Sequence, residues 1–328
     1  MKLYYPTSIS IDSSSEDLSA AINDSKGIIL LTNLPKAPFS EIQTAFDGLH
    51  ARPDLVTRLN NAYMSNLVYK DSFSMGNGGA SVDMKRVLDL SPERLGEITR
   101  NDPNLDLLKE GSLKETIEYW EHLKMNVAPK VGRAVADAIG SEDLLKDSAY
   151  NYRMVDYYPR TDDVEGSVAP RCGEHRDFGS YTLVFPNDVG LQVYVEGQWM
   201  DLPSVEDGTA ILLFGWCTQI RSNGRLPALL HRVADADGVL RRTSAVLFCA
   251  PKKDDTPLEP VVKAGEEQLY ISGIKAGNLR GSMRRKWQKR EGTLSEEGKV
   301  LEEEEILATN MVNQDDVVKN TAMVAAMD

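Results

Sequence analysis

Cysteine is scarce in this sequence. Cys172, Cys217 and Cys249 are the only three in 328 residues, and they form neither a CxxC pair nor an even-numbered framework. A disulfide scaffold is thereby excluded, and a reducing compartment is the expectation. Basic charge is short as well. Lys and Arg total 37 against 50 for Asp and Glu, a formal net charge of −13. That balance argues against a nucleic-acid partner, because neutralising phosphates requires a basic surface. Long apolar runs are missing too. "GIILL" and "TAILLFGW" are only strand-length, and the start "MKLYYPTSISIDSSS" lacks the apolar stretch of a secretory signal. Neither a membrane span nor a signal peptide is expected, so the sequence reads as a soluble cytoplasmic protein.

What is present changes character near residue 150. Residues 1–150 combine one apolar strand, "KGIILLTNL", with several helices. Ser40 to Gln43 and Ser112 to Glu115 have capping-box spacing, and Ser91-Pro92 reads as an N-cap followed by an N1 proline. Ile117, Trp120, Leu123, Val127, Val131 and Val135 recur at steps of three or four, an apolar helical stripe. Pro129 should kink that helix and Gly140 should end it. Residues 151–260 hold short β-prone runs separated by turn signals, the texture of a sandwich or barrel. Residues 261–328 return to helix, with a basic segment, "RGSMRRKWQKREG", followed by an acidic one, "SEEGKVLEEEEIL". The basic segment reads as a solvated face paired to those glutamates. The three regions are expected to form one structural unit.

Four histidines allow each to be weighed. His122 shares a helix face with Glu115, Glu118 and Asn126 and is expected in solvent. His50 closes a helical stretch, where a cation complements the terminal carbonyls. His175 and His231 differ, because both lie in the β-rich half. In "GEHRDFGSYTLVF" an imidazole and the carboxylate of Asp177 are two positions apart, and such positions share a face when the backbone is extended. Two imidazoles and a carboxylate form a facial triad for non-haem Fe(II), and the same donors also suit tetrahedral zinc. Beyond His231, Arg242 and Ser244 share a strand face. A guanidinium backed by a hydroxyl fits a carboxylate, and a buried Arg is costly unless paired.

These residues, in this order, resemble the Fe(II)/2-oxoglutarate-dependent dioxygenases of the isopenicillin-N-synthase-like group. The segments "DYYPR", "GEHRDFGSYTLVF", "DVGLQVYVEGQWMDLP", "SNGRLPALLHRV" and "RRTSAVLFCAP" carry the likeness over 156–251. The resemblance implies a mainly β fold with helices: a distorted double-stranded β-helix, or jelly roll, buttressed by N- and C-terminal helices. It implies His175, Asp177 and His231 as Fe(II) ligands, with Arg242, Ser244 and Tyr158 holding 2-oxoglutarate and O2 as co-substrate. The activity it implies is hydroxylation, ring formation or desaturation of a small molecule by C–H abstraction, in specialised-metabolite biosynthesis.

Asp156, where relatives often carry Asn, and Trp216, where an acidic residue is usual, depart from the pattern and bear on substrate identity. Arg171 and Phe178 are the candidates for substrate contact, and the Gly- and Ser-rich stretch 69–86 has the composition of a lid. Three other readings stay open at this point. They are an oxidase of the isopenicillin-N-synthase type that needs no 2-oxoglutarate, a zinc hydrolase with the same triad, and a catalytically silent jelly-roll binding protein.

Overall fold

The computed structural model describes residues 2–63, 68–71, 83, 85–106, 113–157, 171–235, 241–290 and 300–312. In chain order its first half holds β1 (Thr7–Ser10), α1 (Ser15–Asn23), β2 (Ile28–Thr32), α2 (Phe39–His50), α3 (Pro53–Asn61), β3 (Tyr69–Asp71) and β4 (Arg86–Leu90). Then come α4 (Pro92–Asn101), α5 (Lys114–His122), α6 (Ala128–Ile139) and α7 (Asp143–Lys146). The β-rich half follows with β5 (Ser148–Tyr157), β6 (Cys172–His175), β7 (Tyr181–Pro186), β8 (Leu191–Val195), β9 (Gln198–Asp201) and β10 (Ala210–Phe214). It ends with α8 (Trp216–Arg221), β11 (His231–Val233), β12 (Arg242–Pro251), α9 (Ala276–Arg290) and α10 (Glu303–Ala308).

Two sheets organise the molecule. The larger has the order β1-β2-β10-β7-β12-β5-β4-β3, and the smaller β6-β11-β8-β9. Period-two alternation assigns each large-sheet strand two jobs. Ala245, Leu247 and Cys249 of β12 turn toward a core shared with α1, α2, α5 and α6. Val246, with Val155, Val184 and Ile211, turns the other way, against Leu191, Val193 and Val233 of the small sheet. The result is a helix-backed double-layer β core, as the jelly-roll expectation required. The N-terminal strands β1 to β4 extend its large sheet at both edges.

The helix ends depart from the spacing rules in instructive ways. Ser91 does cap α4, its hydroxyl accepting from Arg94 N at 3.1 Å. Ser40, however, lies inside α2, whose N-cap is Pro38, and Ser112 is outside the described residues. Its neighbour in the supposed box, Glu41, instead reaches across to the start of α5. There it accepts from Glu115 N at 3.0 Å and from Thr116 N at 2.5 Å. A tertiary carboxylate thus does the work of a local cap. Pro129 stands in a helical stretch that runs unbroken from Lys114 to Ile139. A π-helical turn, Leu123–Val127, joins α5 to α6, and the proline follows it in the first turn of α6. Proline has no N–H to donate to the preceding turn, and the widened π turn is where the helix absorbs that missing bond. Gly140 ends α6 at φ 85° as expected.

No helix among the described residues is long and apolar enough to cross a membrane.

Candidate metal and dicarboxylate site

His175, the last residue of β6, and His231, the first of β11, are direct partners across the small sheet. Their rings lie 4.3 Å apart between centroids. Each ring is fixed by the same device. Nδ1 of His175 lies 2.8 Å from the carbonyl of Gly173, and Nδ1 of His231 lies 3.0 Å from the carbonyl of Leu229. A carbonyl only accepts, so Nδ1 carries the hydrogen and the neutral ring's lone pair is on Nε2. Such carbonyl contacts orient metal-ligating histidines generally.

Asp177 arrives by a different route from the one the spacing suggested. Strand β6 stops at His175, so strand alternation does not aim the carboxylate. The chain turns through 176–180 and crosses to the other sheet as β7. That turn is pinned: Trp216 N donates to the Asp177 carbonyl at 2.9 Å, and Ser180 N to the Cys249 carbonyl at 2.7 Å. The approach is close enough that a Cβ on Gly179 would sit 2.3 Å from the Cys249 carbonyl oxygen. Only glycine fits there. Thr182 Oγ1 then donates to Asp177 Oδ2 at 2.5 Å, while Oδ1 lies 3.8 Å from His175 Nε2. One donor atom from each of His175, Asp177 and His231 lies within 4.8 Å of the others. Two imidazole nitrogens and a hard oxygen form a donor set for a divalent transition ion such as iron or zinc.

Across the interlayer cavity, Arg242 projects from the deep end of β12. It is 1% exposed. Its Nη1 donates to Ser244 Oγ at 2.8 Å and its Nε to the Asp188 carbonyl at 3.2 Å. Buried Nη2 has no hydrogen-bond partner among the described residues. Burial works against the guanidinium's charge and lowers its pKa from the ordinary value. An unpartnered buried donor of this kind is costly, and an anionic ligand in the cavity would satisfy it. The Tyr157 ring lies beneath the guanidinium, 5.2 Å from its carbon. Burial, then the neighbouring Cys172, push the Tyr157 phenol up to about 12.

A cavity of about 860 Å³ joins these groups, lined by the triad, Arg242, Ser244 and Phe178 among others. Phe178 packs under the Arg280 guanidinium, 5.2 Å from its ring. Tyr158 lies outside the described residues, as does most of the 69–86 stretch. Arg171, expected at the mouth, does not line the cavity. It is buried, ion-paired with Asp235, and donates to the Tyr157 carbonyl at 3.3 Å. Asp156 also faces away. Strand alternation places it opposite Val155 and Tyr157, where it is fully buried and paired with Arg241 at 2.8 Å. Trp216 is likewise a core residue, 2% exposed.

Sequence reasoning missed several lining residues. Trp287 of α9 sets its ring edge-on to His175, with centroids 4.9 Å apart. Lys85 lies 5.5 Å from the Trp287 ring and 3.0 Å from Cys172 Sγ. The basic C-terminal segment is therefore only partly a solvated face. Lys286 does pair with Glu303, at 3.1 Å, but Arg280, Met283, Arg284, Trp287 and Gln288 line the cavity. Their spacing is one helical face, a signal present in the sequence.

Residues 149–251 match the model of the 2OG-Fe(II) oxygenase superfamily. Among curated relatives, the Arabidopsis thaliana protein named probable flavonol synthase 5 is 32% identical over 146 residues, which are 42% of this chain and 43% of the relative. Feruloyl CoA ortho-hydroxylase 2 of the same plant is 30% identical over 166 residues, 48% of this chain and 45% of the relative. The similarity thus spans less than half the length of either relative. Among solved structures, the rice dioxygenase for auxin oxidation superposes with a TM-score of 0.65 at 20% identity, covering 94% of this chain and all of that one. Full-length Neurospora crassa T7H in complex with alpha-KG and thymine gives 0.59 at 18% identity, covering 85% and 91%. These two likenesses are of fold. The segment matched by the 2OG-Fe(II) oxygenase superfamily model, 149–251, holds His175, Asp177, His231, Arg242 and Ser244.

Proposed function

We propose that this protein is a non-haem Fe(II)- and 2-oxoglutarate-dependent oxygenase acting on a small metabolite. His175, Asp177 and His231 hold the metal, and Arg242 with Ser244 holds the distal carboxylate of 2-oxoglutarate. The observation that carries this reading is the buried Arg242 Nη2, unpartnered among the described residues, in the same cavity as three metal-type donors. That orphan calls for an anionic ligand beside the metal-type donors, which a plain zinc hydrolase does not require. When bound, Fe(II) and 2-oxoglutarate supply the oxidative chemistry that breaks a substrate C–H bond.

The chain's own residues do the rest. The carbonyls of Gly173 and Leu229 fix the histidine tautomers, and Thr182 holds one oxygen of Asp177 so that the other faces the metal. Ser244 and the Asp188 carbonyl fix the Arg242 fork, leaving its outer edge for a bidentate contact. Val155, Val184, Leu191 and Val246 line the wall between these two anchors, which keeps water from the reacting centre. The relatives' names, a flavonol synthase and a feruloyl CoA hydroxylase, favour specialised metabolism over a macromolecular substrate.

The test begins without oxygen. Fe(II) and 2-oxoglutarate added together should give the weak visible absorption of their chelate, and admitting O2 should then yield succinate. Asp177→Ala should abolish both signals. Turnover with no succinate, or activity restored by Zn(II) under argon, overturns the reading.

A further inference from the structure

Strand β12 measures depth in the cavity. Arg242, Ser244, Val246 and Phe248 line it in succession, and Lys252 follows just past the strand end. Arg242 and Ser244 are almost wholly buried, Phe248 is partly exposed, and Lys252 lies in solvent. At about 3.3 Å per residue this ruler spans roughly 30 Å. The partner strand β5 descends beside it, Tyr157 against Arg242, Arg153 against Val246 and Asn151 against Phe248. Strand β7 places Thr182, which holds Asp177, level with Phe248. The metal-type donors therefore sit partway along. The deep side ends at Arg242, and the open side runs past Phe248 to Lys252 and α9.

Charge on that open side runs against the rest of the molecule. The whole chain carries −13, yet Asp177 and Glu93 are the cavity's only lining carboxylates among the described residues. Several lining cations are already balanced: Lys85 by Asp83, Arg153 and Arg94 by Asp89, Arg176 by Glu303, and Arg280 by Asp254. Lys252 and Arg284 differ. Both are exposed at the rim, and neither side chain has a carboxylate partner among the described residues. Between this rim and the metal-type donors, Phe178, Phe248, Met283 and Trp287 present apolar and aromatic surface.

We infer that the substrate is an amphipathic anion: an apolar, ring-sized body reaching toward the triad and an acidic group held at the mouth by Lys252 and Arg284. This rests on the oxygenase reading and names the class of molecule that such an enzyme would oxidise. The unmatched positive rim would attract an anion, and the aromatic walls would seat its apolar end.

The probes are matched acid and amide pairs, 3-phenylpropanoate with 3-phenylpropanamide and 4-phenylbutanoate with 4-phenylbutanamide. Binding is measured by titration calorimetry on the full chain, anaerobically, with Fe(II) and saturating 2-oxoglutarate so that Arg242 is occupied. At least one acid should bind about tenfold more tightly than its amide, with the preference shrinking as salt rises. Lys252→Gln and Arg284→Gln should each cost on the order of threefold for the acid and nothing for the amide. Acids and amides that bind alike, or fail to bind, overturn the inference, as does an acid preference unchanged in the double variant. The visible Fe(II)–2-oxoglutarate absorption separates the two levels. If it forms normally while acid preference is absent, only the substrate class fails. If it never forms in the unaltered protein, the oxygenase reading itself fails.

Discussion

The Thr182 hydroxyl donates to Asp177 Oδ2 at 2.5 Å, tying a residue on the second sheet to the loop that leaves the first. The contact spans five positions in sequence, but the turn between them is what brings the two together. It leaves Asp177 one oxygen engaged by protein and one facing the two imidazoles.

Removing that hydroxyl should loosen the metal while leaving the fold intact. Thr182→Val preserves shape, and the partner of an orienting contact is typically worth 10- to 100-fold in metal affinity. Competitive titration of Fe(II), or of Co(II) as a spectroscopic substitute, should show a loss of about that size. Thr182→Ser should recover most of it. An unchanged affinity in the valine variant would mean that the backbone turn alone positions the carboxylate.

Arg242 should matter for the co-substrate and not for the metal. Arg242→Ala removes a buried charge that anchors an anion, a loss of about 2–5 kcal/mol in comparable pairs. The 2-oxoglutarate concentration needed for half-maximal chelate absorption should rise by about a hundredfold or more, with Co(II) affinity in the absence of 2-oxoglutarate unaltered. Lysine at this position keeps the charge but loses the fork, and should fall between the two.

Asp89 predicts an acid-sensitive step in stability. Burial pushes its carboxyl up, but Arg153, at 2.6 Å, and Arg94, at 3.1 Å, outweigh that and hold it well below the usual carboxylate range. The folded state therefore binds fewer protons than the unfolded state. The pair's stabilisation is complete above the unfolded value near pH 4 and is lost as pH falls from there toward the folded value. Asp89→Asn should lower stability at pH 7 by about 3 kcal/mol and flatten the decline below pH 4. Urea unfolding at pH 7, 4 and 3 reads both effects.

Cysteine chemistry should be silent in the helical and large-sheet core. Burial pushes the thiols of Cys217 and Cys249 up to about 12 and about 11, and both are fully buried. Neither thiolate is available at neutral pH. Iodoacetamide at pH 7.5 followed by mass spectrometry should leave both unmodified in the native protein and label both in urea. Labelling of either one in the folded state would show local opening of the β12 or α8 region.

Local chemistry in the sequence determined a good deal here. The turn-separated β runs of 151–260, the proline after Ser91 and the glycine ending α6 are signals carried by a few neighbouring residues, and each element formed where they stood. The two-residue step from Arg242 to Ser244 kept its meaning because that stretch is a strand along its whole length, so alternation fixed both side chains on one face. The same step from His175 to Asp177 brings the two side chains together by a different geometry, since the strand ends between them. Tertiary structure alone decided that Glu41 caps another helix, that Arg171 is claimed by Asp235, and that Asp156 faces away from the cavity. It also decided that α9 sets Trp287 against His175 and Arg284 at the cavity's rim. Pairing His175 with His231 brings together groups 56 positions apart along the chain. Periodicity reports which face a residue occupies on its own element. Which faces meet is settled by burying both sheets against each other and satisfying every polar group that is taken inside.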